Sequence, residues 1–313
     1  MKLTIAIPTY NRKKIIIESL EKMIESKVLR DVGLDFIISD NGSDDGTYDA
    51  LLDFKNLHEC FNLKIFSSDK NYGFTANLKK VLFESSSKYT VIISDEDPID
   101  RENTAKLRLE LAGMDCGFVS TLFHLDGRVY RGIKTPEASI IDGNKIREMS
   151  NYLSGIVFNT KLGQLEWNRI EPYLEDQRNQ YPQVCLAAVL SAMYGGHYLP
   201  IEVSYKLNQA GPEQIYFDID YNSPKSRFNE FVFFCEFFKE QMKLAKSPDE
   251  LAFYKNAIEW ISGGAFPYYF NYLSREFPET MEKFVKNSAE YILGSIQRKE
   301  ITLKSVDIEK IFK

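Results

Sequence analysis

Residues 89–99, YTVIISDEDPI, decide how this chain is to be read. Val91, Ile92 and Ile93 are β-formers, and the stretch from 89 to 93 carries no charge, as a buried strand requires. It then runs through Ser94 into three consecutive acids, Asp95, Glu96 and Asp97. Such neighbours repel one another and call for a positive counter-charge. A solvated turn is the ordinary fate of a charge run. Here the apolar strand delivers the loop to the rim of a core, and the alternation Asp-x-Asp lets Asp95 and Asp97 face one side. Two carboxylates so placed suit a hard divalent cation, Mn²⁺ or Mg²⁺, which takes oxygen ligands and commonly shares them with substrate phosphates.

Upstream, three more apolar runs end in polar loops. LTIAI (3–7) leads into PTYNR, LDFIIS (34–39) into DNGSDDGT, and LKIF (63–66) into SSDKNYGF. Helical periodicity separates them, over about 13–26 with Ile16, Leu20, Met23 and Ile24 on one side, through Leu51 and Leu52, and over 75–84. Strands alternating with helices predict a parallel α/β sheet, whose ligands bind beyond the carboxyl ends of the strands at the switch point. Four polar loops on one rim therefore define a candidate site. Ser43 or Asp44 is expected to cap the second helix, and Asp44–Asp45–Gly46–Thr47 to form a helix-capping turn. Asp40, with Asn41 beside it, lies too early for that role. An ionised Asp only accepts hydrogen bonds, so it suits a base with a ring N–H (uracil, thymine or guanine) over adenine or cytosine.

The chain has 313 residues and a formal charge of -6, which argues against nucleic acid as a partner. Four scattered cysteines without a CxxC pair argue against a zinc or disulfide framework. No apolar run approaches the ~20 residues of a membrane span, and no signal peptide is read at the N-terminus. A cytoplasmic enzyme is expected, with peripheral contact at the inner face of the membrane left open. Beyond about residue 110 the pattern loosens. GFVSTLFHL and GRVYRGI read as strands, VCLAAVLSAMYGGHYLP as a buried helix closed by glycines and followed by a strand, and the chain from about 225 as aromatic helices. The expected division is 1–222, with a nucleotide half over 1–110 and an acceptor half over 111–222, followed by a helical subdomain over 223–313. The Phe-rich stretch FNEFVFFCEFF predicts internal packing or a homodimer contact through the C-terminal helices.

IAIPTYNR, IISDNGSDDGT, NYGFTANLKKVL and YTVIISDEDPI, in this order, resemble the successive signatures of glycosyltransferase family 2 over roughly residues 1–125. The resemblance implies a GT-A fold, a Rossmann-like, mostly parallel sheet flanked by helices. It also implies an inverting transfer from a nucleotide sugar, UDP-sugar favoured, to a saccharide or lipid-linked saccharide acceptor, as in surface polysaccharide biosynthesis. By the same resemblance Pro8, Thr9, Tyr10 and Asn11 line the nucleoside pocket and Asp40 reads the base. Asn71, Gly73 and Asn77 lie near the nucleotide, and Asp95 and Asp97 form the metal-binding D-x-D.

The sequence departs from the family in two places. Ala76 stands where many members carry an Arg, leaving Arg12, Lys70 or Lys79 to supply the charge. The Glu-Asp pair that holds the family's catalytic base is absent before Gly195 and Gly196, where Tyr181–Val184 stand instead. Asp176 is the candidate base and Gln183 a candidate for holding an acceptor hydroxyl, with His197 and Trp167 also on the acceptor side. The missing pair keeps a non-catalytic nucleotide-sugar-binding module open as an alternative. A sugar nucleotidyltransferase is the other, although PTYNRKK lacks the glycine-rich phosphate loop usual there.

Overall fold

The computed structural model describes residues 1–125, 128–131, 137–176, 178–179, 181–207 and 224–262. The first half alternates as its hydrophobic pattern requires: β1 (Leu3–Thr9), α1 (Lys13–Glu25), β2 (Leu34–Asp40), α2 (Thr47–Leu57), β3 (Leu63–Ser67), α3 (Phe74–Phe83), β4 (Tyr89–Ile92) and α4 (Arg101–Ala112). There follow β5 (Phe118–Leu125), β6 (Arg128–Arg131), β7 (Ser139–Ile140), α5 (Ile146–Ser150), β8 (Ile156–Asn159), α6 (Thr160–Ile170), α7 (Pro182–Tyr194), β9 (Gly196–Glu202), α8 (Pro224–Leu244) and α9 (Pro248–Trp260).

The sheet runs in the order β3-β2-β1-β4-β8-β5-β9-β7, with β6 paired to β5. β1 to β4 are mutually parallel, while β8 lies antiparallel between β4 and β5. The chain steps from β1 to β2 to β3 in one direction, then returns past them to place β4 on the other side of β1. Right-handed crossovers therefore put α1 and α2 on one face of the sheet and α3 on the other. The packing agrees. Ile16, Leu20 and Met23 of α1, Leu51 and Phe54 of α2, and Leu107 and Leu111 of α4 share one core with Ile5, Ile7, Phe36, Ile38 and Val91. α3 packs on β1 and β2 from the opposite side and meets α6. The reversal between β1 and β4 is the switch point, and the acidic loop leaves β4 there.

Two compact units emerge. One holds Met1–Ile141, Glu148–Ile170 and Leu186–Gln209, and the other Asp142–Arg147, Glu171–Cys185 and Ala210–Lys313. In this division two inner segments fold with the C-terminal helices. Gly143 lies so close under α9 that an added Cβ would sit 1.9 Å from the Phe253 carbonyl oxygen. Arg147 donates from Nε and Nη2 to the fully buried Glu230 at 2.9 and 2.6 Å, and Tyr173 meets the Phe237 ring edge-on. Phe231, Phe233, Phe234, Phe237 and Phe238 of α8 are buried within the chain, as the internal-packing reading of this stretch expects. The aromatic segment expected to be helical beyond 262 lies outside the described residues.

Candidate active site

The loop after β1 is laced to the loop after β2. The Asn11 N–H donates to Ser43 Oγ at 2.7 Å, and the Asp44 N–H returns to Asn11 Oδ1 at 2.9 Å. Asn11 sits at φ 50°, a left-handed conformation that Asn tolerates better than most residues. Asp45, rather than Ser43 or Asp44, does the capping, and it serves two helices. It accepts from the Lys13 N–H that opens α1 and from the Thr47 N–H that opens α2, each at 3.0 Å. Burial acts to raise its carboxyl, but these bonds and that from the Thr47 hydroxyl outweigh burial and hold it below the ordinary range.

Asp40 is fully buried at the end of β2. It accepts from the Ser43 N–H at 3.2 Å, from Ser67 Oγ at 3.3 Å and from the Ser43 hydroxyl. A base edge can reach it only if one of these hydroxyls yields. Asn41 joins the second and third loops, donating to Asn71 Oδ1 at 2.8 Å and the Gly73 carbonyl at 3.0 Å while accepting from the Tyr72 N–H. Asn77, buried on α3, donates to the carbonyls of Thr9 and Ser39 at the ends of β1 and β2. Asn41 and Asn77 thus build the rim. Pro8 and Thr9 are buried within β1, and Tyr10 and Arg12 are partly exposed beside them.

The counter-charge for the acidic loop is Arg12. Its Nη1 lies 3.1 Å from Glu96 Oε2 and 3.4 Å from Asp95 Oδ1. The other oxygen of Asp95 accepts from Thr9 Oγ1 at 2.7 Å, closing β1 onto the β4 loop across the switch point. Burial pushes the Asp95 carboxyl up to about 6, with Arg12 and Thr9 pulling the other way.

Asp97 differs. It is fully buried, and its Oδ2 accepts from Ser154 Oγ at 2.6 Å and Tyr152 Oη at 2.9 Å. Its Oδ1 is buried with no hydrogen-bond partner among the described residues. Leaving a buried acceptor unsatisfied costs about 1–3 kcal/mol, more for a charged group. Burial pushes this carboxyl up to about 7 against the pull of Ser154 and Tyr152. Lys206 also lowers it, from a segment held beside the acidic loop by the Ile99–Ser204 bridge and the Tyr205 N–H to the Pro98 carbonyl.

Tyr152, Ser154 and Lys206 went unforeseen, and no local spacing announces them: the first two lie 55 and 57 residues from Asp97. Trp167 is buried on α6 against the edge of Phe83, with Lys79 over its ring, so it is a core residue and offers no sugar-stacking surface. His197 lies within β9, opposite Val119 of β5 and Ile140 of β7. Gln183 is buried in the first turn of α7. Asp176, in the second unit, is gripped by Arg178 through Nη2 at 2.7 Å and Nε at 3.0 and 3.2 Å, and Arg178 also pairs with Glu236 at 2.7 Å.

Residues 4–120, the segment that builds this rim, match the model of glycosyl transferase family 2. This segment, less than half of the chain, is similar to a family 2 glycosyltransferase domain. The match supports an enzyme of glycosyl transfer. No curated protein matches the chain. Among solved structures, the chain resembles S. aureus TarS 1-349 in complex with UDP-GlcNAc, with TM-score 0.62 at 16% identity over 88% of this chain and 76% of that one. A further crystal structure of S. aureus TarS 1-349 gives TM-score 0.60 at 16% identity over 88% and 74%. The mannosyltransferase PcManGT from Pyrobaculum calidifontis, in complex with GDP-Man and Mn²⁺, gives 0.58 at 18% identity over 96% and 83%. These likenesses establish the GT-A fold. Among the described residues no helix is long and apolar enough to cross a membrane.

Proposed function

We propose that this protein is a family 2 glycosyltransferase that moves a sugar, with inversion, from a nucleotide diphosphate donor to a hydroxyl of a saccharide or lipid-linked acceptor. Surface polysaccharide synthesis at the inner face of the membrane is the setting. The observation that carries the donor and metal reading is Asp97: a buried carboxylate with one oxygen held and the other unpartnered, at the end of the strand beside the switch point. Among the described residues no group of three or more His, Cys, Asp or Glu forms a cage for a metal ion. The donor set instead fits a cation that a protein holds by one or two carboxylates and that shares the substrate's phosphates. Asp97 would hold it through Oδ1 with Asp95 in support, and the bound cation would offset charge on the departing diphosphate.

The remaining roles belong to the chain's own groups. Thr9 and Arg12 hold Asp95, and Arg12 stands where a guanidinium can turn to a phosphate. Asp40 accepts the ring N–H of a uracil or guanine once Ser43 or Ser67 gives way. TarS is described with UDP-GlcNAc and PcManGT with GDP-Man and Mn²⁺, and both bases carry that proton. Asp176 belongs to an ion pair in this reading. The Arg178 hydrogen bonds lower its carboxyl against the opposing effect of burial, which weakens it as a base.

A calorimetric panel of UDP, dTDP, GDP, CDP and ADP, each with and without Mn²⁺, tests the proposal. UDP should bind best and should need the cation. Metal-independent binding would remove the role given to Asp97, and a preference for CDP or ADP that given to Asp40.

A further inference from the structure

Asp97 is held from outside its own loop. Tyr152 and Ser154 belong to the segment between α5 and β8, and both direct their hydroxyls to one carboxylate oxygen, Oδ2, at 2.9 and 2.6 Å. The two clamping side chains are themselves fixed. The Tyr152 ring stacks on Phe123 of β5 at 4.2 Å between centroids and 29° between planes. Ser154, fully buried, accepts the Ser94 N–H at 2.8 Å, which ties it to the start of the acidic loop. The Asp97 N–H closes the same turn on the Ser94 carbonyl at 3.1 Å. A carboxylate oxygen offers about two lone-pair sites, so two hydroxyl donors use Oδ2 fully. Oδ1 keeps both of its sites, buried and without a hydrogen-bond partner among the described residues.

From this geometry we infer that Tyr152 and Ser154 are positioning residues: they occupy Oδ2 and present Oδ1 alone to a divalent cation. The inference rests on the metal reading above and adds a selectivity to it. Mg²⁺ and Mn²⁺ demand near-octahedral geometry with few protein ligands, and a single fixed oxygen satisfies them. Ca²⁺ takes 6–8 oxygens in flexible geometry and often grips both oxygens of a carboxylate. With Oδ2 occupied, Asp97 cannot serve Ca²⁺ in that way. The clamp therefore discriminates between the ions as well as orienting the ligand.

The test is Mn²⁺ retention by the full-length protein in the presence of UDP. It is read from the electron paramagnetic resonance signal of free Mn²⁺, with Ca²⁺ added as competitor. Wild type should retain Mn²⁺ and resist Ca²⁺. Tyr152→Phe and Ser154→Ala should each weaken Mn²⁺ about 10- to 100-fold, the range for losing a group that orients a metal ligand, and Ca²⁺ should displace Mn²⁺ more readily. Ser154→Thr keeps the hydroxyl and should restore both properties. Because Ser154→Ala also strands the Ser94 N–H, Tyr152→Phe is the cleaner variant, and its melting temperature measured without metal separates misfolding from lost positioning. If wild type retains Mn²⁺ and both variants match it in affinity and in the Mn²⁺-to-Ca²⁺ ratio, the inference falls and the metal reading stands. If wild type retains no Mn²⁺ with UDP, both fall together.

Discussion

Asp176 and Asp97 are two carboxylates with opposite surroundings. Arg178 surrounds Asp176 with charge-assisted bonds, lowering its carboxyl, while burial raises that of Asp97 and leaves one oxygen unpartnered. Asp176→Asn should therefore leave turnover near wild type in a donor-hydrolysis or transfer assay and cost up to about 1 kcal/mol of stability, as for a partly exposed ion pair. A loss of about 10²- to 10⁴-fold in turnover would mark it as the general base instead. At this scale the sequence was legible wherever a residue's role follows from its own strand end. Asp40, Asp95 and Asp97 could be placed on the rim from periodicity alone. Whether their oxygens are occupied could not be read, because Ser67, Thr9, Ser154 and Tyr152 reach them from 27, 86, 57 and 55 residues away.

At the scale of elements, the turn between β2 and α2 links two helices through one carboxylate. Asp45→Ala removes acceptors from the first N–H groups of both α1 and α2 and should cost about 1–2 kcal/mol, taking about 1 per helix terminus. The pH sign follows from the lowered folded value. The stabilisation is full above the unfolded carboxylate range and is lost as pH falls through the folded value. In thermal melts the gap between wild type and Asp45→Ala should thus be widest near neutral pH and close below about pH 4. A gap that widens on acidification would contradict this linkage. The alternation of β1 to β4 with α1 to α3 could be read ahead because each element carries its own apolar period. β8 escaped for a physical reason: Ile156 to Asn159 is a four-residue, fully buried strand, and a strand covered on both faces has no alternation to display.

For the whole molecule, chain order is a poor guide to which segments fold together. Segments 142–147 and 171–185 join the C-terminal helices, and the Gly143 turn shows how tightly. Its Cβ position is filled by backbone atoms, Phe253 O at 1.9 Å and Ala257 N at 2.8 Å, which cannot swing aside as a side chain can. Gly143→Ala should destabilise the second unit by about 1–3 kcal/mol, the usual cost of overpacking. Earlier proteolytic cleavage within α8 and α9 would be the readout, and an unchanged cleavage pattern would show that the turn yields freely. What the sequence by itself determined is the set of elements with a local period, the polar loops at their carboxyl ends and the chemistry those loops invite. Tertiary structure alone decided that Arg12 neutralises the acidic loop, that Trp167 is core, and that Tyr152 and Ser154 leave Asp97 a single open oxygen. The reason is range: periodicity is written within about two turns of a helix or one strand, whereas these contacts depend on which strands the crossovers bring together.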